Sequence, residues 1–131
     1  MPLQYSPNNN PRVIVIQKLY GKYFNQEENI TFPKHRFKKF IKDVVIGTIE
    51  REDVINEEIS IHLKNDLNLN KLDKVFQVII KSAIFELLYK PKTSAKIIIN
   101  EYLRASNFFV DDGQTKYLNA LLDKISKKLR L

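Results

Sequence analysis

The chain contains no cysteine and no tryptophan, and it has only three glycines and two histidines among its 131 residues. Without cysteine it forms no disulfide and no thiolate metal site, and it has no cysteine nucleophile. His35 and His62 lie far apart and fit no H-E-x-x-H spacing, so we predict no metal site. No glycine-rich phosphate loop and no G-x-S-x-G nucleophile turn occurs. We therefore predict a protein that has no catalytic residues, is not an enzyme and binds no cofactor.

Long apolar runs are also absent. No window approaches the roughly 18 uninterrupted apolar residues that a transmembrane helix requires. The segment before Pro11 has neither the basic start nor the apolar stretch of a signal peptide. We expect a cytoplasmic protein without membrane contact. We expect residues 1–10 to be disordered and residues 11–131 to form a single domain, because this length supports one core without disulfides.

Positive charge is concentrated in parts of the chain rather than spread evenly. The net charge is +7, and residues 34–42 contain five Lys and Arg residues and no acid. Residues 43–73 reverse the sign with eight acids against three bases, and residues 74–131 are basic again. This distribution favours a polyanionic partner such as RNA on one face, although solvated helix faces explain the charge equally well.

Apolar residues recur at helical spacing through most of the chain, which predicts an all-α fold. The first predicted helix runs from Arg12 to about Asn25, and the next segment, from 34 to about 64, is one helix or two joined near Arg51. A further helix follows a capping signal at Asn70 to Asp73. The last two run from Thr93 or Ser94 to about Phe108 and from Gln114 or Thr115 to Lys128. The helix after Asp73 is apolar on nearly every side, so we place it at the centre of the fold. Its few polar residues, which therefore carry the most information, are Gln77, Lys81, Ser82 and Glu86.

Four polar residues interrupt the apolar stripes of the last two helices: Asn100, Glu101, Asn119 and Asp123. A buried amide or carboxylate without a partner costs about 1–3 kcal/mol. We therefore expect these residues to form a polar network between packed helices, or else to be reserved for a partner.

Three motifs follow one another in the second half of the chain. They are Ile80-Lys81-Ser82-Ala83-Ile84-Phe85-Glu86-Leu87, Ile99-Asn100-Glu101, and Tyr117-Leu118-Asn119-Ala120-Leu121-Leu122-Asp123. They resemble the L-R-x-A-x-Y-E-L, I-N-E-A and F-V-N-G-V-L-D patterns of the NusB family of transcription antitermination factors. Upstream, Gln17 to Tyr20 is similar to the family's Q-x-L-Y, and Ile41 to Gly47 is similar to its F-x-x-L-x-x-G helix.

The resemblance implies a NusB-like fold of two small helical bundles packed as one domain, at about residues 11–66 and 70–131. It implies assembly rather than catalysis. Family members bind the boxA element of ribosomal RNA leaders together with the ribosomal protein NusE. They join RNA polymerase in an antitermination complex that continues transcription of ribosomal RNA genes. The family's arginine cluster is reduced here to Arg12, and a shorter stretch between Tyr20 and Gly47 leaves a separate second helix in question.

The resemblance and the basic run together give a set of site residues. We assign RNA binding to Arg12, Lys18, Lys38, Lys39, Lys42 and Lys81, where Lys81 stands at the family's arginine and Lys38 to Lys42 are a hypothetical replacement for the missing arginines. We assign partner binding to Tyr20, Phe76, Glu101 and Asn119, with a core position as the other interpretation of Tyr20 and Phe76. Two alternative functions stay open. One is a protein-only scaffold or homodimer that has lost RNA binding. The other is a targeting domain related to rRNA cytosine methyltransferases, which the lack of a cofactor-binding domain after Leu131 disfavours.

Overall fold

The computed structural model describes residues 9–27, 29–63 and 71–130, without the side chains of residues 62 and 63. Within these ranges the chain forms six helices and no strand, which confirms the all-α prediction. The helices are α1 (Pro11–Phe24), α2 (Lys38–Glu50), α3 (Glu52–Leu63), α4 (Lys74–Tyr89), α5 (Ala95–Ser106) and α6 (Asp112–Leu129). The segment after Pro33 is therefore two helices that meet at Arg51, the second of the two arrangements the sequence left open.

Two helices begin after a residue whose side chain caps them; the cap of α5 was predicted and that of α1 was not. Asn10 caps α1, because its side-chain oxygen accepts hydrogen bonds from the backbone N–H groups of Arg12 at 3.0 Å and Val13 at 3.3 Å. Pro11 follows in the first turn, where its missing N–H is harmless. Ser94 caps α5 by accepting from the N–H of Ile97 at 3.2 Å. Asn10 is thus an ordered, buried residue and not part of a disordered segment; residues 1–8 lie outside the described residues.

Three other predicted starts need correction. Helix α2 begins at Lys38, four residues after the predicted start at 34, because the preceding residues form a turn in which the Lys38 N–H donates to the His35 carbonyl at 3.1 Å. Helix α6 begins at Asp112, two residues earlier than predicted, because Asp111 and Gln114 form a reciprocal capping box. Helix α4 begins at Lys74, after an Asp73 whose side chain makes no capping hydrogen bond. Asn70, the first residue of the predicted capping signal, lies outside the described residues.

Helix α4 is the centre of the fold, as its apolar sequence predicts. It packs against each of the other five helices, and every residue from Phe76 to Leu87 is buried. Gly47 allows α2 to approach it closely, because a Cβ atom at this position would overlap the ring of Phe85. The C-terminal end of α4 is held by Arg130, whose guanidinium donates to the carbonyls of Glu86, Leu87, Lys90 and Thr93.

Helices α1 and α2 run in the same direction. The Arg12 guanidinium near the start of α1 lies 4.8 Å from the ring centroid of Phe40 near the start of α2. Lys22 and Thr48, near the two C-terminal ends, line one cavity. The chain between the helices must therefore return along them, and its described residues, 25–27 and 29–37, contain no helix. The second helix that the sequence left in question is absent from these residues.

The predicted polar network between α5 and α6 is wrong. Asn100, Asn119 and Asp123 are exposed, and Asp123 pairs on the surface with Lys127 at 3.0 Å. Only Glu101 is half-buried. These residues lie on the solvent side of their helices, beside the apolar stripes rather than within them. The polar residues of α4 are the buried ones, as its sequence predicts.

Candidate nucleic-acid interface

Arg12, the one arginine of the expected RNA-binding end, points into the protein. Its Nε and Nη2 atoms donate to the two carboxylate oxygens of Glu86 at 3.0 Å and 2.7 Å, and the Glu86 side chain is fully buried. The guanidinium also lies 5.5 Å from the ring centroid of Tyr102. Such a paired and buried cation holds α1 onto α4 and α5. Arg12 is buried and paired, so its guanidinium is not available to an RNA phosphate. We therefore do not include Arg12 in the proposed interface.

Burial and the ion pair between Arg12 and Glu86 change the pKa values of Arg12 and of the adjacent Tyr102. Burial raises the pKa of the Tyr102 phenol well above its ordinary value, and the adjacent Glu86 carboxylate adds to the rise. The Tyr102 hydroxyl is fully buried near Glu86 and Ser82, but it meets hydrogen-bond geometry with neither. Burial lowers the pKa of Arg12, but the hydrogen bonds and negative charge of Glu86 outweigh burial and raise it. Arg12 and Tyr102 therefore keep their protons in the folded state.

Three lysines line one groove between α1, the segment before α2, and α2 itself. We call it the basic groove; its volume is about 210 Å³ and its walls are Ile14, Gln17, Lys18, Phe32, Pro33, Lys34, His35, Lys38 and Ile41. Among the residues that the structure describes, none that lines it is acidic. Lys39 and Lys42 are exposed on the adjoining helix, and Lys38 and Lys42 are neighbours on its surface because they lie four residues apart. The structure thus places Lys18 beside Lys38, residues that the sequence assigned to RNA for separate reasons.

Lys81 lies elsewhere, in a cavity of about 400 Å³ that we call the Lys81 cavity. Its walls are Leu19, Lys22, Tyr23, Gln26, Thr48, Ile49, Glu52, Val78 and Lys81. The Lys81 side chain is mostly buried, and its ammonium lies 3.9 Å from a carboxylate oxygen of Glu52. Lys81 is therefore not part of the basic groove.

The four predicted partner-binding residues do not form one surface. Tyr20 is 38% exposed, and its ring packs edge-on against the 70% exposed ring of Phe24 at 5.0 Å. Phe76 is only 3% exposed and stacks on Tyr117, so it occupies the core position that was its other interpretation. Glu101 lies near Arg12 at the opposite end of α1 from Tyr20, and the exposed Asn119 is on α6.

Comparison with known proteins decides the family. A sequence model of the NusB family matches residues 4–127. The chain belongs to the NusB family. The transcription antitermination protein NusB of Rickettsia bellii is 40% identical over 90 residues, which cover 69% of this chain and 55% of that protein. The NusB of Rhizobium etli is 30% identical over 91 residues, which cover 70% and 57%.

The aligned region thus spans little more than half the length of these relatives. The match to the NusB of Rickettsia felis is longer, with 27% identity over 129 residues, 92% of this chain and 80% of that protein. A solved structure of Thermotoga maritima NusB superposes with a TM-score of 0.78 and 22% identity, over 94% of this chain and 92% of that one. The superposition confirms the NusB-like fold.

Several residues of this NusB-family chain were missed by sequence reasoning. Phe24 follows the helical apolar spacing of α1, but it is the most exposed of the large apolar side chains described. Lys34 and Phe32 line the basic groove, and Lys34 could have been chosen from its place in the basic run. Within the described residues, no group of His, Asp and Glu side chains is arranged to hold a metal ion. None of the described helices is long and apolar enough to cross a membrane.

Proposed function

We propose that this protein is a transcription antitermination factor of the cytoplasm that binds boxA-type RNA together with the ribosomal protein NusE. It acts by assembly with the RNA polymerase antitermination complex and not by catalysis. Membership of the NusB family supports the activity, since its relatives carry that name. The observation that carries the RNA-binding part is the basic groove, where Lys18, Lys34 and Lys38 surround one concave surface.

The groove suits a single strand of RNA. Its lysines supply positive charge for phosphates, and the half-buried Ile14 and Phe32 in its walls offer apolar surface. Proteins that bind single strands combine these two features, charge along the backbone and flat apolar surface for bases. Lys39 and Lys42 extend the positive charge along α2. We propose that this surface replaces the arginine cluster of other family members.

The test is fluorescence anisotropy of a labelled boxA-type RNA, with and without NusE, across a salt series. The triple variant Lys38→Glu, Lys39→Glu and Lys42→Glu should lose most of its affinity and show a shallower salt dependence, because each lost phosphate contact lowers the slope. The control variant reverses Lys92, Lys96 and Lys116, which are exposed lysines away from the groove. Both variants change the net charge equally. Equal effects of the two would refute the groove as the RNA site.

NusE binding is proposed at the exposed aromatic pair of α1. Tyr20 and Phe24 together present an apolar surface at the C-terminal end of this helix, and exposed aromatic residues often anchor protein interfaces. Glu101 on α5 and Asn119 on α6 remain proposed partner contacts, but they lie apart from this aromatic pair. Tyr20→Ala combined with Phe24→Ala should weaken NusE binding at least tenfold in calorimetry while RNA binding alone is retained.

The burial of Arg12 favours one second candidate, a protein-only scaffold or homodimer whose RNA site has been lost. NusE binding with RNA affinity at the nonspecific level would establish this candidate. A dimer in mass measurements that dissociates in the Tyr20 and Phe24 double variant would identify α1 as its interface.

A further inference from the structure

We propose that the ring of Phe37 stacks on one unpaired nucleobase of the RNA strand at the edge of the basic groove. This inference rests on the proposed RNA-binding function and extends it, because it separates the contact with a base from the contacts with phosphates. Phe37 immediately precedes α2, and its side chain is 39% exposed. The two phenylalanines nearest to it in the chain, Phe32 and Phe40, pack against the core instead.

Phe37 occupies a helix start where another residue type would stabilise the helix more. This position usually holds Ser, Thr, Asp or Asn, whose side-chain oxygen accepts hydrogen bonds from the backbone N–H groups that follow. Phe37 has no such oxygen, and its side chain makes no capping hydrogen bond. His35 holds the backbone here, because its Nδ1 atom accepts from the Phe37 N–H at 2.9 Å. Departures from local rules of this kind are expected at functional sites.

The surroundings of Phe37 suit a base that is carried on a chain of phosphates. A single exposed apolar residue is common on protein surfaces, but this one has planar and basic neighbours. The Arg36 guanidinium lies 5.3 Å from the centroid of the Phe37 ring, and the centroid of the His35 ring lies 6.0 Å away. Bases of single-stranded RNA stack on aromatic rings and on guanidinium planes.

The same short segment also supplies the charge for the strand. Lys34, His35 and Lys38 line the basic groove, and residues 34–42 contain no acid. Proteins that bind single strands combine a positive groove for the phosphates with aromatic side chains for the bases. A strand whose phosphates contact Lys34 and Lys38 therefore brings a base to the exposed ring of Phe37.

The first measurement is the affinity of the full chain for labelled boxA-type RNA by anisotropy. Phe37→Leu keeps an apolar side chain but removes the ring, so it should bind at least about fivefold more weakly, as for the loss of one stacked base. Phe37→Tyr keeps the ring and should bind like the wild type. The salt dependence of Phe37→Leu should be unchanged, because no phosphate contact is lost.

Phe108→Leu is the matched control for the affinity measurement. The Phe108 side chain is 40% exposed and follows α5, a helix that contributes no residue to the basic groove. Its replacement should therefore leave RNA affinity unchanged.

The second measurement reports the stack itself. The chain has no tryptophan, so Phe37→Trp and Phe108→Trp each carry a single fluorescent indole. A stacked base quenches indole fluorescence. RNA should therefore quench the Phe37→Trp protein and leave the Phe108→Trp protein unchanged. Inorganic polyphosphate supplies negative charge without bases, and it should quench neither.

The outcomes separate the two proposals. Circular dichroism checks that each variant is folded, which the exposure of both side chains favours. Salt-dependent RNA binding of equal strength in the wild type and Phe37→Leu overturns the stacking contact and leaves the proposed function standing. Equal quenching of Phe37→Trp by RNA and polyphosphate also overturns it, and so does a Phe37→Leu defect confined to NusE binding. Absence of salt-dependent RNA binding in the wild type overturns both.

Discussion

Removing the Arg12 side chain should destabilise the protein more than any single surface change. In Arg12→Met the fully buried Glu86 carboxylate loses both of its hydrogen bonds from Arg12. Breaking one side of a buried ion pair costs about 3–5 kcal/mol, and the lost contacts with the Phe40 and Tyr102 rings add about 0.5–2 kcal/mol. A domain of this kind is stable by only about 5–15 kcal/mol, so the variant loses a large fraction of its stability.

The double variant Arg12→Met with Glu86→Leu tests whether the loss in Arg12→Met comes from leaving the Glu86 carboxylate unpaired. It removes both charges and fills the space with apolar groups, and such replacements of buried pairs are often neutral or stabilising. The double variant should therefore be more stable than Arg12→Met alone, with a coupling energy above about 2 kcal/mol.

Urea unfolding followed by far-UV circular dichroism measures the wild type, the single variants Arg12→Met and Glu86→Leu, and the double variant, since the chain has no tryptophan for fluorescence. The dependence of unfolding free energy on urea concentration should stay constant while the midpoint moves. A loss below about 1 kcal/mol in Arg12→Met, or a double variant no better than the worse single variant, would refute the reasoning.

Three further changes test the packing and the titration of the fold. Gly47→Ala should lower the unfolding free energy by about 1–3 kcal/mol in urea titrations, because its methyl group overlaps the Phe85 ring. Tyr102 stays protonated in the folded state and ionises near pH 10 when unfolded. Wild-type stability should therefore fall as pH rises above about 10, by at most about 1.4 kcal/mol per pH unit, and less steeply in Tyr102→Phe. Arg130→Ala should cost about 1.5–3 kcal/mol and speed amide exchange at the end of α4, whereas full stability in Arg130→Lys would show that the guanidinium geometry is unimportant.

The elements that sequence predicts well are those decided by local rules. The central position of α4 was predicted from its apolar run, and the cap of α5 was narrowed to Thr93 or Ser94, because each depends on neighbours in the chain. The positions of Asn100 and Asn119 were misjudged, because periodicity shows that a stripe exists but not where its edge falls against a neighbouring helix. Arg12 was misassigned for a related reason. A lone Glu86 in an apolar central helix requires a buried cation, and this signal could have identified its partner.

The candidate site was partly predictable. The basic run was visible as composition, but its meeting with Lys18 depends on the parallel course of α1 and α2, which no local pattern encodes. The Lys81 cavity joins residues from four helices, and Thr48 and Glu52 carry no motif of their own. Such a cavity becomes visible only when the chain is folded.

The ion pair between α1 and α4 also constrains the order of events during synthesis. Its two residues are 74 positions apart, so at about 5–20 residues per second the ribosome needs roughly 4 to 15 s to make Glu86 after Arg12. Throughout that interval the first helix has no carboxylate partner for its inward-facing guanidinium and no central helix to cover its apolar side. The N-terminal half of the nascent chain therefore cannot mature first, and its folding waits for α4 to emerge.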